Sequence, residues 1–229
     1  MQNSFSSSLN TLTGPAHIPQ GATHLLICLH GFGDEGASYI SLAPLLNDIL
    51  SQTPSPSGEK IILGLTAPNG PGITPFGEGY QWFSDNNWTF RDRPGIEKTK
   101  TILWNYIKTL SQTHNIPYKN IALLGFSQGG MTALYSAPRF PEAIGALIAH
   151  SSCAMYQEDL DPATCQKIPV LFLHGADDDV IPADQSLNAA TGLTKLGYET
   201  ETHILKNLAH GINAESLAHI TGFLQTHLD

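Results

Sequence analysis

At 229 residues, with 41% hydrophobic side chains, the chain holds enough apolar material for a full core, which excludes disorder of the whole. Its 11 Lys and Arg face 20 Asp and Glu, a formal charge of -9; so acidic a surface repels phosphate backbones and anionic lipid, and excludes nucleic acid as a partner. Three widely spaced cysteines (Cys28, Cys153, Cys165) offer no CxxC pair and no zinc-like spacing, the first 20 residues lack the basic start and apolar stretch of a secretory signal, and no run nears 18 apolar residues, so a reducing, cytoplasmic setting without metal or stable membrane insertion is expected.

Taken in chain order, residues 1–20 are rich in Ser, Thr, Asn and Pro and read as a lead-in segment. The apolar run 25–30 reads as a buried strand, followed by a helix over about 39–52 and a second strand over 61–67. Residues 68–95 are crowded with Pro and Gly yet carry Phe76, Tyr80, Trp82, Phe83, Trp88 and Phe90. Loops that long are functional or disordered, and so many aromatics argue against disorder. A helix over about 95–113 shows Ile96, Leu103, Ile107 and Leu110 at helical spacing. Strands over 121–125, 143–150, 170–174 and 202–205 then alternate with helices over about 128–138, 184–196 and 214–227. Strands without polar alternation are buried on both faces. The expectation is one α/β domain over 1–229, a mostly parallel sheet with helices on both sides, and 70–92 as a substrate-pocket or lid loop. In such sheets chemistry gathers at the carboxyl ends of the strands.

The strand at 121 runs into Gly125-Phe126-Ser127-Gln128-Gly129, a G-x-S-x-G turn leading into a helix. At average usage roughly one chain in ten of this length carries that bare pattern by chance, so the strand before it and the helix after it decide the reading. In the bland reading Ser127 is a helix cap; in the functional one, the tight turn lifts its hydroxyl clear of the sheet at a helix N-terminus. A nucleophilic serine needs a base and the base needs a carboxylate, in the chain order Ser, acid, His for this kind of turn. Among downstream histidines, His203 sits in a strand, His219 and His227 in the last helix, and His150 and His174 at strand ends suited to the acid. His210 alone lies between the last strand and the last helix. Asp177, Asp178 and Asp179 follow the strand at 170, and spacing does not choose among them. The earlier turn His30-Gly31-Phe32-Gly33 offers Phe32 N–H as an oxyanion donor beside Gln128 N–H. A phosphate loop is the alternative there, but G-x-G-x-x-G and nearby basic residues are missing.

With these motifs in order, the chain resembles the phospholipase/carboxylesterase family of α/β-hydrolases that includes the acyl-protein thioesterases. The matching stretches are Leu29-His30-Gly31-Phe32-Gly33-Asp34, Ala67-Pro68-Asn69-Gly70-Pro71, Gln81-Trp82-Phe83, Gly125-Phe126-Ser127-Gln128-Gly129-Gly130, His174-Gly175-Ala176-Asp177-Asp178 and His210. The resemblance implies Asp178 as the acid, oxyanion donors at Phe32 and Gln128, and no metal or cofactor. Two places depart from the family pattern: Asn207-Leu208-Ala209 precedes His210 in place of Gly-Met-Gly, and Ser84 follows Trp-Phe in place of Asp.

The sequence is thus read as a serine esterase or thioesterase acting on small to medium acyl groups, including acylated protein, through Ser127, Asp178 and His210. Trp82 and Phe83 are expected to line the acyl pocket, against the bland alternative that they seal the core. Rival functions are a hydrolase of another acyl bond, such as a lactone or peptide, and a binding protein on the same scaffold.

Overall fold

A computed structural model describes residues 12–52, 58, 60–84 and 92–228. The strands are β1 (Ala16–His17), β2 (His24–Leu29), β3 (Leu63–Thr66), β4 (Gly72–Ile73), β5 (Tyr80–Gln81), β6 (Ile121–Phe126), β7 (Ala146–His150), β8 (Val170–Gly175) and β9 (Thr200–Leu205). The helices are α1 (Ala37–Ile40), α2 (Leu42–Gln52), α3 (Arg93–His114), α4 (Gln128–Ser136), α5 (Asp184–Lys195) and α6 (Ala214–His227). Seven strands form one sheet in the order β1-β3-β2-β6-β7-β8-β9. Only β1 runs antiparallel.

Residues alternate between the two faces of each strand, and the two halves of the core follow from that. Leu25, Ile27 and Leu29 of β2 and Leu123 of β6 meet Ile96, Leu103 and Ile107 of α3, Met131 of α4 and Leu193 of α5. Leu26, Cys28 and Leu124 point the other way, toward Leu46 and Leu50 of α2 and Ile220 and Leu224 of α6. Each side chain in this set is nearly or fully buried, and trimming one such leucine to alanine costs about 2–5 kcal/mol.

The boundaries follow local chemistry. Asp92 caps α3 by accepting a hydrogen bond from Gly95 N–H, Pro94 fits the first turn, and Asn115 closes the helix in the left-handed conformation. The helix expected over about 39–52 is broken at Ser41 into α1 and α2. The strand expected from 202 begins at Thr200, because β9 pairs along its whole length with β8. Two features absent from the periodicity are the two-residue β1 and the small β4–β5 hairpin inside the aromatic loop.

After β2 the chain passes to β3 on one side, then returns to place β6 on the other. That reversal opens the crevice where ligands bind in parallel α/β sheets. Leu29 pairs with Gly125 in the register of β2 and β6, so the two strand ends lie side by side at that crevice.

Candidate active site

Ser127 leaves β6 with φ 52° and ψ -119°, a backbone conformation that costs a non-glycine residue on the order of 1–3 kcal/mol. Its surroundings hold it there. Its N–H donates to His150 O at 3.0 Å, and its carbonyl accepts from Met131 N–H at 3.0 Å and Ser152 Oγ at 2.9 Å. Glycine is required two residues on: a Cβ at Gly129 would stand 2.0 Å from Leu29 O, because the first turn of α4 passes against the end of β2. Across the crevice Gly31 is close but less confined, its missing Cβ 3.2 Å from the Phe126 ring and 3.6 Å from Ser127 Cβ. The turn at 30–33 therefore abuts Ser127, and Gln128 opens α4 with an N–H that has no partner one turn back in its own helix.

Of the three consecutive aspartates, Asp177 and Asp179 are exposed while the Asp178 side chain is fully buried. Asp178 Oδ1 accepts from Val180 N–H at 3.0 Å and Ile181 N–H at 2.9 Å, and Oδ2 accepts from His210 Nδ1 at 2.8 Å. Burial by itself would raise the Asp178 pKa. The Ile181 N–H, His210 and the Val180 N–H together outweigh it and hold the carboxyl below its usual value. The His210 ring lies against Phe126, with centroids 4.8 Å apart. Ser127 Oγ makes no hydrogen bond to His210 among the described residues; such contacts are commonly long before a substrate arrives.

A second imidazole meets the same carboxylate. His174, at the end of β8 and fully buried, places Nε2 2.7 Å from Ile181 O and 3.2 Å from Asp178 Oδ2. Both neighbours are acceptors, so Nε2 carries the hydrogen. Its Nδ1 lies 2.7 Å from Ser186 Oγ, Ser186 Oγ donates to Ser152 O, and Ser152 Oγ donates to Ser127 O. One chain of polar contacts thus runs beneath the site from the acid to the serine turn. His150 lies in the same layer, its Nε2 2.8 Å from Ser216 Oγ. Burial, helped by repulsion from His174 and His210, pushes its pKa down to about 3, so it is neutral near pH 7. In the sequence His174 stands out only as a strand-end histidine within the His174–Asp178 motif, and its contact with the carboxylate follows from its place four residues before Asp178 at the end of a buried strand.

The aromatic loop supports the turn at 30–33. Trp82 Nε1 donates to His30 O at 2.8 Å. Trp82 N–H donates to Gln128 Oε1 at 2.9 Å, and Gln128 Nε2 donates to Phe83 O at 3.0 Å. Gly70 N–H donates to His30 Nε2 at 2.9 Å, which leaves His30 Nδ1–H to donate to Gly31 O. Burial lowers the His30 pKa and favours this neutral tautomer. Gly33 N–H donates to Tyr80 O and is committed there, so it is not a second oxyanion donor.

Trp82 and Phe83 are packed into the body of the protein. They are 1% and 3% exposed and belong to the main core. They do line a cavity of about 150 Å³, but with Ser84, Asp92, Lys98 and Thr99 and not with Ser127, His210 or Phe32. Accessible apolar groups stand on the β4–β5 hairpin and beside Asp178: Ile73 is 53% exposed, Val180 51%, and Phe76 is 81% exposed and stands edge-on to Phe32, with centroids 6.5 Å apart. Residues 85–91 of the expected pocket loop, Trp88 and Phe90 among them, lie outside the described residues.

The chain is similar to known proteins over nearly its whole length. Residues 18–228 match the model of the family described as Phospholipase/Carboxylesterase. Acyl-protein thioesterase 1 of Eremothecium gossypii is 27% identical over 219 residues, covering 92% of this chain and 90% of its own. Esterase YpfH of Escherichia coli is 27% identical over 204 residues, covering 86% of this chain and 79% of its own. The crystal structure of esterase PE8 superposes with a TM-score of 0.81 at 32% identity, covering 94% of this chain and 98% of that one. Arabidopsis thaliana SOBER1, at 21% identity and a TM-score of 0.73 over 90% of this chain and 99% of its own, shares the fold.

Proposed function

This chain belongs to the phospholipase/carboxylesterase family, and from that premise we propose that it hydrolyses carboxylic esters and thioesters with Ser127 as nucleophile. The observation that carries the reading is the buried Asp178 bonded at 2.8 Å to His210 on the same sheet edge as the strained Ser127. With Nδ1–H given to Asp178, the other ring nitrogen of His210 is the acceptor for the Ser127 proton. Ser127 Oγ attacks the carbonyl carbon as that proton moves to His210. Phe32 and Gln128 N–H groups meet the oxyanion. The protonated imidazole then delivers its proton to the departing alcohol or thiol, leaving an acyl-enzyme. Water, deprotonated by the same His210, attacks the ester carbonyl, and the acid leaves as Ser127 recovers its proton. No step needs a metal or cofactor.

Phe32, Phe76 and Ile73 are the side chains placed to meet an acyl chain, and their exposure suits small to medium acyl groups, including those carried on protein. No helix among the described residues is long and apolar enough to cross a membrane. Labelling with a fluorophosphonate probe tests the proposal. The native chain should label on Ser127, and Ser127→Ala should abolish labelling and lower esterase kcat by about 10⁴-fold or more. No labelling at all would make the chain a binding protein on a hydrolase scaffold. Labelling with activity only on lactones or peptides would move the substrate class.

A further inference from the structure

Glu201 and His203 point from one face of β9, the edge strand, and His219 reaches them from α6. Each offers one donor atom, and the three lie within 4.8 Å of one another. His203 Nε2 is 2.6 Å from Glu201 Oε1, and the His203 and His219 rings stack with centroids 3.8 Å apart and planes 27° apart. The His203 and Glu201 side chains are 33% and 49% exposed, so an ion has access. None of the three contacts Asp178 or His210 in any described hydrogen bond or ring contact, so the cluster lies outside the proposed machinery.

We infer that Glu201, His203 and His219 form a divalent transition-metal site of the zinc class. Two imidazoles and one carboxylate are the donors such an ion selects, whereas calcium and magnesium take oxygen alone. Zinc bonds of about 2.0–2.2 Å in a tetrahedral array hold ligand atoms about 3.4 Å apart. Reaching that array asks the stacked His203 and His219 rings to part and turn about their side-chain torsions until both ring planes contain the ion, a rotamer change open to side chains that are partly exposed. The ion takes the place of the hydrogen between His203 Nε2 and Glu201: a neutral ring carries its hydrogen on Nδ1 instead, with no net proton release, and an imidazolium ring gives its extra proton to solvent. Water completes the coordination.

The placement gives the site a consequence. β9 ends at Leu205 and α6 begins at Ala214, and the loop between them carries His210. Its near side is pinned to the turn that follows β8 through Ala176 N–H to Leu205 O and Asp177 N–H to Leu208 O. Its far side hangs on α6, whose start is fixed by the Asn213–Ser216 capping box. An ion held by His203 and His219 ties the elements at both ends of that loop and restrains it.

The test is a Zn²⁺ titration of the chelator-treated full chain by calorimetry, with hydrogen exchange over 206–213 read in parallel. One equivalent should bind saturably. His203→Ala and His219→Ala should each weaken binding by at least about tenfold, since even outer partners of a metal site are worth 10–100-fold. His210→Ala should bind Zn²⁺ as the native chain does, and bound Zn²⁺ should slow exchange in the loop. All three positions are partly exposed, and Glu201→Gln, which keeps size and shape, serves as a second variant expected to lose affinity. Three results would overturn the inference: no saturable uptake at submillimolar Zn²⁺, binding indifferent to His203→Ala and His219→Ala, or binding lost in His210→Ala. Binding without slower exchange would overturn the restraint.

Discussion

Replacing Trp82 by Phe separates two roles that the sequence left entangled. The ring stays aromatic and apolar, but the indole N–H that donates to His30 O at 2.8 Å is gone. With Trp82 1% exposed, water does not replace it, and a buried carbonyl deprived of its donor costs about 1–3 kcal/mol. A residual void of a few tens of Å³, at about 24 cal/mol per Å³, adds up to about 1 kcal/mol. For a chain of this size a total of about 1–4 kcal/mol lowers Tm by roughly 2–16 °C. The loss falls on the turn that carries Phe32, so it should appear in kcat as well. Removing an oxyanion donor outright costs about 10²–10³-fold, and displacing one should cost about tenfold or more. The assay is a ladder of p-nitrophenyl esters from acetate upward, with Tm by calorimetry. The expected pattern is a uniform fall in kcat/KM along the ladder with a lowered Tm. An unchanged Tm with loss confined to long chains would refute the reasoning and return Trp82 to the acyl wall.

The exposed hairpin should behave in the opposite way. Phe76→Ser should change stability by less than about 0.5 kcal/mol, yet flatten a chain-length gain of up to about 0.8 kcal/mol per methylene in the same ester ladder; an unaltered slope would remove Phe76 from substrate contact. Among the aspartates, Asp178→Asn should lower kcat at pH 7 by about 10⁴-fold, because the amide supports the wrong imidazole tautomer. Asp177→Asn and Asp179→Asn should stay within a few-fold, and steady-state kinetics on the three variants decides it. Acid should destabilise the fold through His150. Its folded pKa of about 3 lies below the usual 6.5, so the unfolded chain binds more protons between those values and stability falls as pH drops through that window. Urea titrations should show a loss of about 2 kcal/mol from His150 between pH 6.5 and pH 5, and a flat stability over that range would contradict its burial as a neutral ring. Asp178, held below its usual carboxylate value, adds stability present above that value and lost as pH falls through its lower folded pKa.

Much of the sheet and the proposed catalytic groups could be read from the chain because their signals are local. Ile121–Phe126 is a buried strand on composition alone, and the glycines around Ser127 announce a tight turn within five residues. His210 stood out by its place between the last strand and the last helix. What stayed hidden depends on contacts far apart in sequence. The grip of the Gln128 side chain on Trp82 and Phe83 spans 46 and 45 residues. The link from His174 through Ser186 to Ser152 joins three elements that no periodicity connects. Trp82 was readable as an important aromatic but not as a hydrogen-bond donor, because an indole looks the same on a pocket wall and beneath a turn.

The β4–β5 hairpin divides into a fixed base and an interchangeable tip. Its base is tied down by the bond from Gly33 N–H to Tyr80 O, by Tyr80 N–H to Asp34 O, and by the Gln128 contacts just beyond β5. The tip closes on itself, with Thr74 N–H donating to Gly79 O and Gly77 N–H to Thr74 O. Pro75, Phe76 and Glu78 project from that closed tip into solvent. Exchange of those three side chains would leave every bond between the hairpin base and the turn at 30–33 intact. Such a layout lets the side chains of the tip vary without disturbing the groups proposed for the reaction.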